Sequence, residues 1–191
     1  INKMNYDLEK FINATLFFAK NVKKLGITKL SKLLYYSDFE HYRLYGCPII
    51  GDLYIRMENG PVPKKSYALF NQNFKHSTND SHKKVIAVRP DNVSFLGKVD
   101  RKTIIAKQKP NLSFFSKSEK EVMERIAFIW KDSTAKIISQ QSHLEKPWKE
   151  TTELQDIDYK LALDQPDSIS REYAEYRENE DRALEKILST P

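Results

Sequence analysis

The chain has 191 residues, with 32 Lys and Arg against 26 Asp and Glu, a formal charge of +6. Its 40% hydrophobic and 12% aromatic content can build a packed core, which excludes wholesale disorder, and no run approaches the roughly 18 apolar residues that a membrane-crossing helix needs. A single cysteine, Cys47, excludes an internal disulfide framework and a Cys-rich zinc site.

The opening residues Ile1–Met4 lack the basic and long apolar segments of a secretory signal, so a cytoplasmic location is expected. Charge is unevenly placed. Residues 1–150 hold 27 basic and 15 acidic side chains, a net +12, while 151–191 hold 5 and 11, a net −6. Such asymmetry suits either a nucleic-acid surface with an acidic arm, or an arm that folds back on its complement.

In chain order, Leu8, Phe11, Ile12, Leu16, Ala19 and Val22 recur at helical spacing behind Asp7 as cap, predicting a helix over 7–24 that stops near Gly26. Thr28 can cap a second helix over 29–45, ended by Gly46 and Pro48. On that helix Leu30, Leu33, Leu34, Ser37, His41, Leu44 and Tyr45 form one stripe, while Tyr35, Phe39 and Tyr42 form another on nearly the opposite side. Only a wedge with Lys29, Lys32, Glu40 and Arg43 is strongly polar. A helix apolar around most of its girth is either central to the fold, the reading favoured by its composition, or presents a second face to a partner.

From residue 49 the pattern turns to strands. Leu53–Met57 reads as one, Asn59-Gly60-Pro61 as a turn, and Lys64 to about Asn71 as a short amphipathic helix. A polar stretch over 71–84 leads to three β-like runs, Val85–Arg89, Val93–Gly97 and Thr103–Ala106, the first two joined across Pro90-Asp91-Asn92 in a small antiparallel sheet. Ser118 and Glu121 have capping-box spacing before a helix that continues to about 140 with a break near Asp132-Ser133. Ile157–Leu163 alternates like a strand, with a helix as the alternative. A last helix starts at Ser168 or Ser170 and places Ile169, Tyr173, Tyr176, Leu184, Ile187 and Leu188 roughly on one side. The expected fold is α+β: a mainly helical single domain with a small antiparallel β-sheet.

No catalytic constellation stands out. The five glycines form no phosphate loop. Cys47 beside His41 lacks a placed third group and reads as a structural thiol, with His41 a core histidine. His76 and His82 fall in the polar stretch, and Ser142-His143 before Pro147-Trp148 reads as a helix exit with Trp148 packing back. Asp52 and Glu58 flank a strand and read as a charged rim rather than a working carboxylate pair. No metal or cofactor is expected.

The run Gly26 to Phe39, followed by Tyr45-Gly46-x-Pro48-Ile49-x-Gly51-Asp52, by Asn59-Gly60-Pro61-Val62-Pro63, and by Ser142-His143 with Pro147-Trp148, resembles the Panacea domain, the SocA-like antitoxin family also met as a phage-associated protein. The resemblance covers about residues 5–150, so 1–150 reads as the Panacea-like domain and 151–191 as an acidic C-terminal extension packing on or projecting from it. The family's motif residues correspond to Leu33, Leu34, Tyr35, Asp38, Gly46, Asp52, Gly60, Pro61, Val62, His143 and Trp148. The resemblance implies an intracellular, mostly helical, non-catalytic protein that neutralises a cognate toxin by binding it, in some members with protease-dependent delivery of the toxin. The stretch 71–110 looks enlarged relative to that pattern, and the tail lies outside it.

On this reading the partner-binding candidates are Tyr35, Tyr42, Arg43, Tyr54 and Arg56, aromatic and Arg groups on the second stripe and the neighbouring strand. The tail either docks on the body or reaches toward a basic toxin through Tyr173, Tyr176 and the Glu172/Glu175/Glu178 face. The alternatives are a nucleic-acid-binding accessory protein using the basic body, and a cryptic hydrolase.

Overall fold

The computed structural model describes residues 5–71, 86–90 and 102–188. Helix α1 (Leu8–Asn21) opens where the Asp7 carboxylate accepts the Lys10 N–H at 2.9 Å. Helix α2 (Ile27–Tyr45) starts two residues ahead of expectation, with Gly26 at its N-cap and Thr28 inside it, and ends at Gly46 in the left-handed conformation. Strand β1 (Tyr54–Met57) pairs antiparallel with β2 (Gly60–Pro63), in register Tyr54 with Pro63 and Met57 with Gly60. The turn is therefore Glu58-Asn59, and Gly60-Pro61, expected to form it, opens the second strand instead. Pro61 is tolerated there because β2 is the edge strand of the ribbon.

Helix α3 (Lys64–Asn71) follows directly. Strand β3 (Ile86–Pro90) pairs antiparallel with β4 (Lys102–Ala106), Ile86 opposite Ala106. The expected strand Val93–Gly97, the Asp91-Asn92 part of its connection, and His76 and His82 lie outside the described residues. A 3₁₀ turn at Leu112–Phe114 leads into α4 (Lys117–Trp130), whose capping box is Ser116 with Glu119, two residues before the expected pair. Helix α5 (Ala135–Ser142) follows the break expected near 132, and α6 (Lys146–Glu150) carries Pro147 in its first turn, where the missing N–H costs nothing.

Beyond residue 150 the chain returns to the body. Leu154 N–H donates to Arg56 O at 2.9 Å, Arg56 N–H to Gln155 O at 3.0 Å and Ile157 N–H to Tyr54 O at 2.7 Å, so this segment runs along β1. Residues Tyr159–Asp164 then form a 3₁₀ turn rather than the alternating strand. Ile157, Tyr159, Ala162 and Leu163 are all buried, and the Tyr159 ring stacks on Phe39 at 4.4 Å. Helix α7 (Arg171–Leu188) ends the described chain.

Helix α2 is the axis of this arrangement. Leu30, Leu33, Leu34, Tyr35, Phe39 and Tyr42 are each 5% exposed or less, and each contributes on the order of 2 kcal/mol through burial. Even the expected polar wedge is not solvated: Lys29 and Lys32 are buried, and Glu40 and Arg43 half-buried. The Lys29 ammonium donates to Lys23 O at 3.0 Å and to Lys131 O at 3.2 Å, spending its charge on the carbonyl ends of α1 and α4. The central reading of α2 holds, and no helix among the described residues is long and apolar enough to cross a membrane.

Candidate functional site

Asp38 organises the deepest part of the core. Its fully buried carboxylate accepts the Ile49 and Ile50 N–H groups at 3.0 and 2.7 Å and the Tyr54 and Tyr159 hydroxyls at 3.0 and 3.1 Å. Burial pushes its pKa up to about 6 despite those donors. Asp52, also buried, accepts Lys65 N–H and Ser66 N–H and thereby caps α3, so it is no rim charge and forms no pair with exposed Glu58.

This network overturns the expected contact surface. Tyr35, Tyr42 and Tyr54 are 1%, 0% and 1% exposed. The second stripe of α2 faces the 151–170 segment and the β1–β2 ribbon, elements whose return over the helix no periodicity announces. Arg43 is spent internally: its guanidinium grips Glu40 at 2.8 and 2.9 Å and donates to Pro166 O at 2.9 Å. Of the five candidates, Arg56 is half-buried, and it neighbours groups with unspent hydrogen-bonding capacity.

Those groups come from three distant parts of the chain. The Lys32 ammonium, 1% exposed, donates to Pro61 O at 2.8 Å, its single acceptor among the described residues. Burial without an acidic partner lowers its pKa to about 7. Gly60 lies against it with φ +95, and a Cβ there would stand 2.5 Å from Ser142 Oγ and 2.7 Å from Lys32 Cε. The His143 ring stacks on Trp148 at 4.3 Å, the Arg56 guanidinium lies 4.2 Å over the Trp148 ring, and Trp148 Nε1–H donates to Met57 O. Val62 is half-buried beside them in β2. The motif pieces at 32–34, 60–62 and 142–148 are thus one packed unit. Gly60→Ala should cost about 3 kcal/mol, the sum of backbone strain at positive φ and overpacking against Ser142 and Lys32, read as a fall in the urea midpoint.

The outer surface carries apolar groups elsewhere. An open groove of about 580 Å³ lies between the end of α2, the start of α4 and α7, lined by Tyr45, Phe114, Tyr173, Lys10, Glu119 and Arg177 among others. Inside it His41 Nδ1–H donates to Cys47 O at 2.6 Å, so the ring nitrogen 3.9 Å from Cys47 Sγ already carries a proton and cannot take the thiol's. Burial pushes the Cys47 thiol up and His41 down, opposite to a thiolate–imidazolium pair. Both side chains serve packing and capping.

Helix α7 is attached through Ala174, 0% exposed, and Glu178, which accepts the Tyr42 hydroxyl at 2.7 Å. At 100° per residue its Tyr173, Tyr176, Leu184 and Ile187 point roughly 140° away from that attachment. They are 49%, 56%, 56% and 70% exposed, so the expected apolar face exists but looks outward. Glu178 turns inward, dividing the tail's acidic face between docking and exposure. Phe114 and Tyr45 at the groove were not among the sequence candidates, since neither belongs to a second stripe. Among the described residues no group of three His, Cys, Asp or Glu could hold a metal ion.

Comparison with known proteins is limited to one finding. A family model described as antitoxin SocA-like, Panacea domain, matches residues 30–149, the span from α2 to α6 that contains the packed motif unit. No curated protein and no solved structure matches the chain.

Proposed function

The chain belongs to the SocA-like antitoxin, Panacea-domain family, and from that premise we propose that it neutralises a cognate toxin by direct protein–protein binding, without chemistry of its own. The toxin docks on the outward stripe of α7 and on the groove beside it, two surfaces made continuous by Tyr173, which belongs to both. The observation that carries this reading is the stripe itself: Tyr173, Tyr176, Leu184 and Ile187 recur at helical spacing on the solvent side of a helix whose opposite side is already anchored. Apolar groups along one helix face, here at i, i+3, i+11 and i+14, can seat in a partner's groove. Tyr and Arg groups at the rim, Tyr45, Tyr173 and Arg177, give large contact area at low entropic cost.

Exposed Glu172, at the edge of the stripe, favours a toxin with a basic rim, so association should slow as salt screens that attraction. Co-expression with the product of the adjacent reading frame should rescue growth and yield a complex that survives nuclease treatment. Absence of both complex and rescue overturns the reading, and association lost on nuclease treatment transfers it to nucleic acid.

A further inference from the structure

Three groups able to carry positive charge converge where the β1–β2 ribbon meets the end of α5, and no carboxylate among the described residues is ion-paired or hydrogen-bonded to any of them. Lys32 forms the floor. Its ammonium has three donors, and one is spent on Pro61 O. Arg56 and His143 form half-buried walls on the Trp148 ring, with Arg56 Nε and His143 Nε2 both shielded from solvent and unpartnered. Proteins rarely bury donors in this state, because each unmet one costs the loss of its hydration. A cluster maintained only for packing would be built more stably from apolar groups of the same shape.

We propose that this cluster receives one oxyanion group, a carboxylate or a phosphate, bound by Lys32, Arg56 and His143. Lys32 supplies an amine whose charged form the anion itself would stabilise, Arg56 supplies planar N–H donors aligned by the Trp148 face, and His143 supplies its shielded, unpartnered Nε2. Gly60 leaves the room that the Lys32 stem occupies, and the bond to Pro61 O fixes where its amine lies. The site is separate from the α7 surface and does not depend on the antitoxin reading.

The test titrates the full chain with inorganic phosphate and, separately, with acetate, following the His143 ring resonances and the binding heat. Saturable binding of either anion, with the His143 signals moving and chloride without effect, is the expected result. Arg56→Gln and His143→Gln should each weaken it by about tenfold or more while the far-ultraviolet spectrum stays that of the parent. The arm that binds tighter tells phosphate from carboxylate. No saturable binding of either anion at millimolar concentration, or equal binding by parent and both variants, overturns the proposal.

Discussion

Asp38→Ala should abolish stable folding at neutral pH, whereas Asp38→Asn should still fold. The alanine variant strands three buried donors, Ile49 N–H, Ile50 N–H and the Tyr54 hydroxyl, at roughly 1–3 kcal/mol each. Tyr159 is spared because its hydroxyl also reaches Asp52 O at 2.8 Å. A loss of roughly 3–9 kcal/mol rivals the whole stability of an ordinary domain, about 5–15 kcal/mol. Asparagine keeps an oxygen for the two backbone donors and is the neutral isostere of the protonated carboxyl.

The same residue gives a signed pH dependence. Folding raises the Asp38 pKa from 3.8 to about 6, so between those values the folded chain keeps a proton that the unfolded chain has released. The Asp38 contribution is therefore fully present below about pH 4 and is lost as pH rises through 6, in total about 3 kcal/mol. Urea unfolding of the parent and of Asp38→Asn at several pH values isolates it, since the parent should lose about 3 kcal/mol relative to the variant as pH rises from 4 to 7. An alanine variant with the parent's midpoint would dismiss the network as a source of stability.

How much of this could be read in advance depended on whether a signal was local. The Asp7 cap, the Gly46 helix end, the β1 strand and the break between α4 and α5 are written in neighbouring residues, and each appears where expected within about two positions. The capping box slipped to Ser116 and Glu119 because two serines offered the same spacing, and the chain uses the one whose partner Glu119 can also meet Lys10 at 2.7 Å. Residues 157–163 misled for a different reason. Their alternation is genuine, but after the Ile55–Asp156 bridge the segment has to turn so that Tyr159 can reach Asp38, and tertiary contacts outweigh propensity.

The contact surface was illegible for the same physical cause. An aromatic stripe on a helix states that something will cover it, not whether the cover is a partner or the chain's own later residues. Here residues 151–170 supply it, and Tyr42 is sealed by Glu178 from 136 positions away. The apolar positions of α7 show the converse: a pattern that reads as core is left outside because Ala174 and Glu178 form the attachment. The convergence of the motif residues on Lys32 was likewise invisible, since a lysine in a helix reads as solvated.

Leu184→Asp combined with Ile187→Asp should leave the fold intact and weaken toxin binding by at least about 100-fold, or roughly 2.7 kcal/mol. Both side chains are more than half exposed, 56% and 70%, so the folded chain loses little when they change, and neither contacts the Asp38 network. A bound partner must bury them, and two buried carboxylates without counter-charges would oppose that strongly. Tyr45→Ala at the far side of the groove should add a smaller loss, because its ring is 38% exposed and packs at a tilt against His41. Removing everything after Glu150 is a poor test of the same idea, since it deletes Ile157, Tyr159 and Leu163 from the core and would unfold the body along with the tail. The point variants separate the two effects: with unaltered thermal midpoint and circular dichroism, lost growth rescue places the toxin on α7, while full rescue places it elsewhere on the molecule.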